Sequence, residues 1–282
     1  MLSKELVYFF SSAEANGAII STGNKAEGRK DEFSVQLNNP LAIPHDAMNC
    51  TIEVTAAAIW NTTPNVSAKI GNNKFYLSLE ENESQVNVII TIPDGLYGVS
   101  ELEATIKRGL VTLGKNPDLV SFIQDEATQK LILSLLPYAQ VDFTQPDTPR
   151  GVLGFDSRLA PLTLQGTNSL EDADSEAAFN RTNSYLIKSD IVGNGIPINS
   201  LADGILAQVA IDVKPGSQIN YRPYYPPKSN ANELIGHVKN YFSFSLVDQI
   251  NREVSTSNEE WSFTTVIRYN MPVVNRYTGS RR

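Results

Sequence analysis

Few of the residue types that commonly carry chemistry occur in this sequence, which has two histidines and one cysteine among 282 residues. His45 stands between Pro44 and Asp46 in a predicted turn, whereas His237 precedes the last two predicted strands, so their spacing does not relate them. A zinc site needs three or four suitable ligands, and a Cys–His nucleophile pair would have to join Cys50 to His237 across the fold. The sequence therefore predicts no catalytic residue, no metal site and no cofactor.

Carboxylates are the one plentiful reactive group, with 31 Asp and Glu residues. Many glycosidases use a pair of carboxylates as their catalytic groups, and such sites occur on sandwich folds. The densest acidic run, residues 171–176, lacks the alternating oxygen ligands, central glycine and final glutamate of a calcium loop. We interpret this run as a solvated surface, and a sandwich-fold glycosidase or glycan-binding protein stays open as an alternative function.

Composition and charge narrow the class of protein. The net charge of −8 argues against a general nucleic-acid binder, because affinity for phosphates comes from clustered Lys and Arg. The longest apolar run, near residues 131–136, is far shorter than the roughly 20 residues that span a bilayer. Residues 6–10 are too short an apolar core for a signal peptide. We therefore expect a globular protein that is not secreted and has no membrane span, in a reducing compartment where the lone Cys50 is buried.

Hydrophobic alternation and turn residues predict a mainly β chain. The strand at 86–92 leads into an amphipathic helix, for which Ser100 and Glu103 predict a capping box and Gly114 a stop, and a hairpin follows at 121–135. Residues 241–246 and 261–267 predict a second hairpin near the end of the chain. With roughly ten short strands and one helix, the pattern predicts a two-layer antiparallel β-sandwich with long loops.

The predicted domain organisation has an N-terminal arm (1–30), a sandwich (31–270) and a basic C-terminal tail (271–282). The sandwich carries a helix-plus-hairpin insertion around 93–136 and a long loop at 144–184, because these stretches interrupt the succession of strands. An apolar tip on a polar arm and a proline-fixed aromatic segment are both typical of docking surfaces. The candidate subunit contacts are Leu6, Tyr8, Phe9, Phe10, Tyr224 and Tyr225. The candidate inner-face basic residues are Arg276, Arg281 and Arg282.

Several landmarks, taken in order, resemble one protein family. They are FSVQL at 33–37, IPDGLY at 92–97 before the helix, LGF at 153–155, and LVDQ, REV and WSF at 246–249, 252–254 and 261–263. This order is similar to that of the penton-type vertex capsid proteins of virophages and polinton-like viruses. The resemblance implies a jelly-roll sandwich without a catalytic site, which assembles as a homopentamer at the fivefold vertices of an icosahedral capsid.

The same resemblance implies the partners and the location. The chain would contact itself and a neighbouring major capsid protein, and its basic tail would touch packaged nucleic acid weakly, because three arginines supply few phosphate contacts. It would be found in the virion, assembled inside the host cell. A minor capsid protein, or a spike that mediates host attachment, stays open as an alternative, because one jelly roll serves each of these roles.

Overall fold

The computed structural model describes residues 1–13, 19–22, 31–81, 84–192, 204–257 and 259–273. The chain divides into two compact units. The terminal unit contains Met1–Thr62 and Thr182–Arg282, and the inserted unit contains Thr63–Arg181. The predicted organisation is wrong here, because the insertion is not confined to 93–136. It includes the flanking strands as well, since these pair with one another and not with the strands of the terminal unit.

The described residues form seventeen strands, two α-helices and two three-residue 3-10 helices, Pro117–Leu119 and Asn232–Leu234. The elements as far as the helix α1 are β1 (Leu2–Ser11), β2 (Ile19–Thr22), β3 (Glu32–Ala42), β4 (Met48–Trp60), β5 (Lys74–Glu81), β6 (Ser84–Thr91) and α1 (Val99–Thr112). The rest of the inserted unit contains β7 (Val120–Gln124), β8 (Leu131–Leu135), β9 (Ala139–Asp142), α2 (Arg150–Leu153), β10 (Leu159–Ala160) and β11 (Ser169–Asp172). The terminal unit resumes with β12 (Ser184–Ser189), β13 (Ile205–Ala210), β14 (Gln218–Tyr221), β15 (Lys228–Asn230), β16 (Val238–Asp248) and β17 (Ser262–Met271). No helix in the described part of the chain has the length and apolarity that crossing a membrane requires.

The terminal unit contains two antiparallel sheets, in the orders β1-β17-β4-β14 and β13-β12-β16-β3-β2, with β15 also paired to β4. Its eight principal strands, numbered one to eight along the chain, are β1, β3, β4, β12, β13, β14, β16 and β17. In that count the sheets have the orders 1-8-3-6 and 5-4-7-2, which is the strand order of a jelly roll. The predicted antiparallel jelly-roll sandwich is therefore confirmed, and the inserted unit lies between its third and fourth strands.

An aromatic cluster fills the core of the jelly roll. Phe244 of β16 lies 5.0 Å from Phe263 of β17, measured between ring centroids, and Phe33 of β3 lies 5.0 Å from Trp261. The predicted hairpin of these last two strands is wrong: β16 pairs with β12 and β3, and β17 pairs with β1 and β4. Both strands show the same aromatic alternation because they face each other across the core from opposite sheets, and not because they pair.

The predicted N-terminal arm is also wrong for the part of it that forms β1. This strand pairs antiparallel with β17 along its whole length, from Leu2 opposite Met271 to Ser11 opposite Ser262. Immediately after it, the Ser12 hydroxyl accepts a hydrogen bond from the Trp261 amide at 2.9 Å. The first strand is therefore anchored to the last by a complete ladder. The short β2 pairs with β3, and residues 14–18 and 23–30 lie outside the described part of the chain.

The inserted unit has its own core between the sheets β10-β9-β5-β6 and β11-β8-β7 and the helix α1. Leu102, Ile106 and Leu110 form the buried face of α1, as their spacing predicts. The predicted long loop at 144–184 is wrong, since this stretch contains α2, β10 and β11. The two strands are two and four residues long, which is too short for alternation to be visible in a sequence.

The predicted capping box of α1 does not form. The N-cap is Gly98, with no side-chain hydrogen bond, and the helix begins at Val99, one residue before the predicted cap Ser100. Glu103 accepts a hydrogen bond from the Phe122 amide at 2.9 Å instead, and so ties the helix to β7. The predicted stop agrees with the structure, because Gly114 adopts a φ of +70° just beyond the helix.

Candidate subunit-contact surfaces

The first candidate surface lies along one edge of the sheet β1-β17-β4-β14. In the described part of the chain β1 pairs with β17 alone, so alternate backbone N–H and C=O groups of β1 point away from the sheet. Proteins usually keep exposed edge strands short, because the unpaired backbone groups of an edge are a template for pairing with another chain. At ten residues, β1 is long for such a strand. This edge is therefore a surface on which a neighbouring molecule can dock.

From Leu6 to Phe10 the side chains of β1 alternate between an inner and an outer face. Phe10 is buried at 4% exposure, and Leu6 and Tyr8 are half-buried against the core. Burial, and then the nearby Tyr269, raise the pKa of Tyr8, so its phenol remains protonated at neutral pH. The predicted role of Phe10 as a subunit contact is wrong, because Phe10 belongs to the core of its own chain. Phe9 points outward at 64% exposure and remains a predicted contact.

Val7 is a contact candidate that the sequence interpretation missed. It lies on the outer face of β1 beside Phe9 and is 62% exposed. The alternation of residues 6–10 places 7 and 9 together on one face, and that signal was present in the sequence. The choice between the inner and the outer face depends on the partner strand β17, which the local pattern does not identify. We define Val7 and Phe9, together with the free edge of β1, as the β1 edge.

The second candidate surface is the aromatic loop, residues 222–227, which lies between β14 and β15. Both strands pair with β4 on the side away from β17, so the loop leaves the sheet at the edge opposite β1. Tyr224 and Tyr225 are 89% and 84% exposed, and their rings meet edge to face at a centroid distance of 4.6 Å. Three prolines at 223, 226 and 227 fix the backbone around them. The loop therefore presents two aromatic rings at small entropic cost.

Charge differs between the two surfaces. Arg222, the first residue of the aromatic loop, and Lys228, which follows the loop, are both exposed and give this surface positive charge. Beside the β1 edge, Arg268 contacts both Glu5, at 3.3 Å, and the buried Glu53, so this ion triad carries one net negative charge. The two edges of one sheet are therefore unlike in shape, and a triad with one net negative charge lies beside the first whereas two exposed cations lie at the second. The predicted basic residues Arg276, Arg281 and Arg282 lie outside the described residues.

The single cysteine and the two histidines do not form a shared site. Cys50 is buried in the jelly-roll core at 1% exposure, whereas His45 and His237 are exposed. The turns that carry the two histidines do meet, since the Gly236 amide donates to the Ile43 carbonyl at 2.9 Å. In the described ranges, no three His, Cys, Asp or Glu side chains converge as metal ligands.

Cys50 should be unreactive while the protein is folded. Burial raises the pKa of its thiol to about 11, so the nucleophilic thiolate is scarce at pH 8, and the closed core excludes reagents. We expect the thiol reagent DTNB to label the folded protein very slowly and the urea-unfolded protein at once, with one thiol per chain. Fast labelling under native conditions would show that this part of the core opens easily.

The strand order defines a jelly-roll protein, a class that includes viral capsid and lectin domains. No protein-family model matches the sequence. No curated protein matches it significantly. Among solved structures, the chain is similar to the selenomethionine-labelled mavirus penton protein, with 11% identity, a TM-score of 0.48, and coverage of 95% of this chain and 100% of that one. It is also similar to a chain of the Sputnik virophage structure from cryo-EM, with 12% identity, a TM-score of 0.40, and coverage of 93% and 97%.

Proposed function

We propose that this chain is a structural subunit of an icosahedral viral capsid, and that it closes the fivefold vertex as a homopentamer. The observation that carries the proposal is the placement of two different docking surfaces, the β1 edge and the aromatic loop, at opposite edges of one sheet. A ring of identical subunits needs two unlike surfaces of this kind, because each copy must offer one surface to the copy before it and the other to the copy after it.

Charge supports the same arrangement. Each chain carries a net charge of −8, so identical copies repel one another at long range. A contact between copies must therefore be locally apolar or complementary in charge. The aromatic loop with Arg222 and Lys228 meets both conditions when it docks on the β1 edge, where Val7 and Phe9 lie beside the negative triad.

The order of the sequence landmarks that resemble penton-type capsid proteins supports the placement at a vertex. In this proposal the neighbours of the ring are copies of a major capsid protein, and the mature location is the virion. The basic tail is proposed to face inward, toward the packaged nucleic acid. The structural role would make no use of catalysis.

The native mass of the full-length protein tests this proposal, and analytical ultracentrifugation across a range of concentration and salt measures it. We expect a fivefold multiple of the 31.0 kDa chain mass. A trimer would favour the alternative role of an attachment spike. A monomer at every concentration would contradict a ring that closes through its own contacts.

Changes at either surface should break the ring into monomers. We expect Phe9→Asp and the double change Tyr224→Ser with Tyr225→Ser each to abolish the pentamer, because each places polar groups where an apolar contact forms. The matched control is Ile250→Ser, since Ile250 is also exposed, at 58%, but lies in the turn after β16. This control should remain a pentamer.

Mixing the two variants separates a head-to-tail contact from a symmetric one. The Phe9 variant keeps an intact aromatic loop, and the Tyr224/Tyr225 variant keeps an intact β1 edge. If these two surfaces bind each other, the mixture should form heterodimers through one intact contact, although neither variant associates alone. A mixture that stays monomeric, or a Phe9 variant that stays pentameric, would contradict the proposed contact.

A further inference from the structure

A polar groove lies on the outer face of the second sheet of the jelly roll, away from both docking surfaces. It crosses the neighbouring strands β12, β16 and β3 and has a volume of about 420 Å³. The strand register places its side chains in two rows of three, because residues directly opposite each other in antiparallel strands share a face. The first row is Lys188, Ser245 and Glu32. The second is Ser243 and Ser34 with Asp190, which directly follows β12 and donates a hydrogen bond from its backbone amide to the Ser243 carbonyl at 3.3 Å.

Hydrogen bonds hold four of these six side chains in defined positions, namely those of Ser34, Lys188, Asp190 and Ser243. Asp190 accepts a hydrogen bond from the Ser243 amide at 2.9 Å and forms an ion pair with Lys239 at 3.3 Å. The hydroxyls of Ser34 and Ser243 are 3.2 Å apart and hydrogen-bonded. The Lys188 ammonium donates to the Asn251 side chain at 2.9 Å and keeps two further donors. The groove is therefore an ordered arrangement of donors and acceptors.

The charges of the groove balance. Lys188 and Glu32 lie in one row, and Asp190 in the next is paired with Lys239, so two positive and two negative groups cancel. A phosphate-binding site would contain more Lys and Arg than carboxylates, and a site for a divalent cation would contain an excess of carboxylates. Balanced charges and three hydroxyls suit a neutral ligand that has many hydroxyls of its own, since each serine both donates and accepts.

An aromatic side chain lies on the same face of the sheet, one row beyond the residues that line the groove. Tyr241 is in the next row of the same face, opposite Gln36, and is 42% exposed. Hydrogen bonds from the hydroxyls of Ser34, and then of Ser243, lower the pKa of Tyr241. The strand register places Ser243 two residues along the same strand and Ser34 diagonally opposite, so Tyr241 borders the second row of the groove. An aromatic face beside polar groups is an amphipathic platform of the kind on which the C–H face of a sugar ring packs.

We propose that this groove binds a neutral carbohydrate, with Tyr241 packing against one sugar ring while Glu32, Lys188 and the serine hydroxyls bond its hydroxyl groups. The volume falls within the range of about 300–1,000 Å³ that is typical of small-ligand sites. Such a site would let a capsid subunit hold the glycans of a cell surface. It is independent of the ring contacts proposed above, since the β1 edge and the aromatic loop belong to the other sheet.

An array of neutral and sialylated glycans, probed with the full-length protein, tests the proposal. We expect binding to neutral glycans, and isothermal titration calorimetry with the best neutral glycan then gives the dissociation constant. Glu32→Gln and Lys188→Met should each weaken this binding by about tenfold or more, because each removes a charged hydrogen-bonding partner. Tyr241→Ala should weaken it as well.

The control variant is Glu259→Gln, which removes an exposed carboxylate elsewhere in the terminal unit. It should bind as the wild type does, and all variants should unfold at the wild-type temperature. The proposal is overturned if no neutral glycan binds, if only sialylated glycans bind, or if the groove variants bind as tightly as the control.

Discussion

Replacing Phe10 by alanine should lower the free energy of unfolding of the terminal unit by about 3–5 kcal/mol, the range measured for buried phenylalanines. Phe10 is buried, and its ring lies 4.5 Å from Phe244 and 5.4 Å from Phe263 between centroids. The change leaves a cavity between the two sheets and removes aromatic contacts that add roughly 0.5–1.5 kcal/mol per pair. The first strand would then be held mainly by its backbone ladder.

The neighbouring residue provides a matched control. Phe9→Ala removes the same atoms from the same strand, but the Phe9 side chain is 64% exposed and points away from the core. Its effect on the stability of the isolated chain should stay within about 0.5 kcal/mol, as for most surface substitutions. Both variants should be compared under conditions in which the protein is monomeric, because assembly adds to the apparent stability.

Tryptophan fluorescence during urea unfolding measures the difference in stability between the two variants, and it reports on the terminal unit. The chain has two tryptophans, Trp60 and Trp261, and both belong to the terminal unit. The signal therefore reports on the jelly roll without a contribution from tryptophan in the inserted unit. Equal midpoints for the two variants would contradict the assignment of Phe10 to the core, and would restore the interpretation of residues 1–11 as an arm.

The assignment of β1 shows what local sequence patterns can and cannot predict. The alternation of residues 6–10 identifies a strand, yet nothing nearby indicates that its partner β17 lies at the other end of the chain. The same limitation explains the false hairpin of β16 and β17, whose patterns describe a shared core and not a shared ladder. Long-range pairing is the information that defines a jelly roll, and a window of ten residues does not contain it.

The inserted unit illustrates a second limitation. The helix α1 and the hairpin of β7 and β8 were predictable because each is a local structure with a strong periodicity. The flanking β10 and β11 were not, because strands of two and four residues owe their conformation to the sheets they join. In the same way, Glu103 looked like a local cap but makes its hydrogen bond to β7.

The candidate surfaces were predictable to different degrees. Proline and tyrosine identify the aromatic loop directly, because prolines exclude a central strand and leave the rings without a sheet to pack on. The polar groove gave no sequence signal, since its six side chains come from three strands that are distant in the chain. Serine, lysine and glutamate on a strand are ordinary outer-face residues until the register aligns them.

Replacing Arg268 by methionine should destabilise the terminal unit by about 3 kcal/mol, near the lower end of the range for a broken buried ion pair. Glu53 is 4% exposed and pairs with Arg268, whose side chain is 34% exposed. Without the guanidinium, the Glu53 carboxylate would remain buried with no opposite charge. The partial exposure of Arg268 places the loss at the lower end, because water can reach part of the site.

Two further variants determine whether the buried carboxylate causes the loss. Glu5→Gln removes the exposed ion pair between Glu5 and Arg268, and it should lower the free energy of unfolding by less than about 1 kcal/mol, as for surface ion pairs. Glu53→Met combined with Arg268→Met should recover most of the stability, because an apolar pair of similar volume replaces the buried ions. A double variant no more stable than the single one would indicate that Arg268 acts through packing alone.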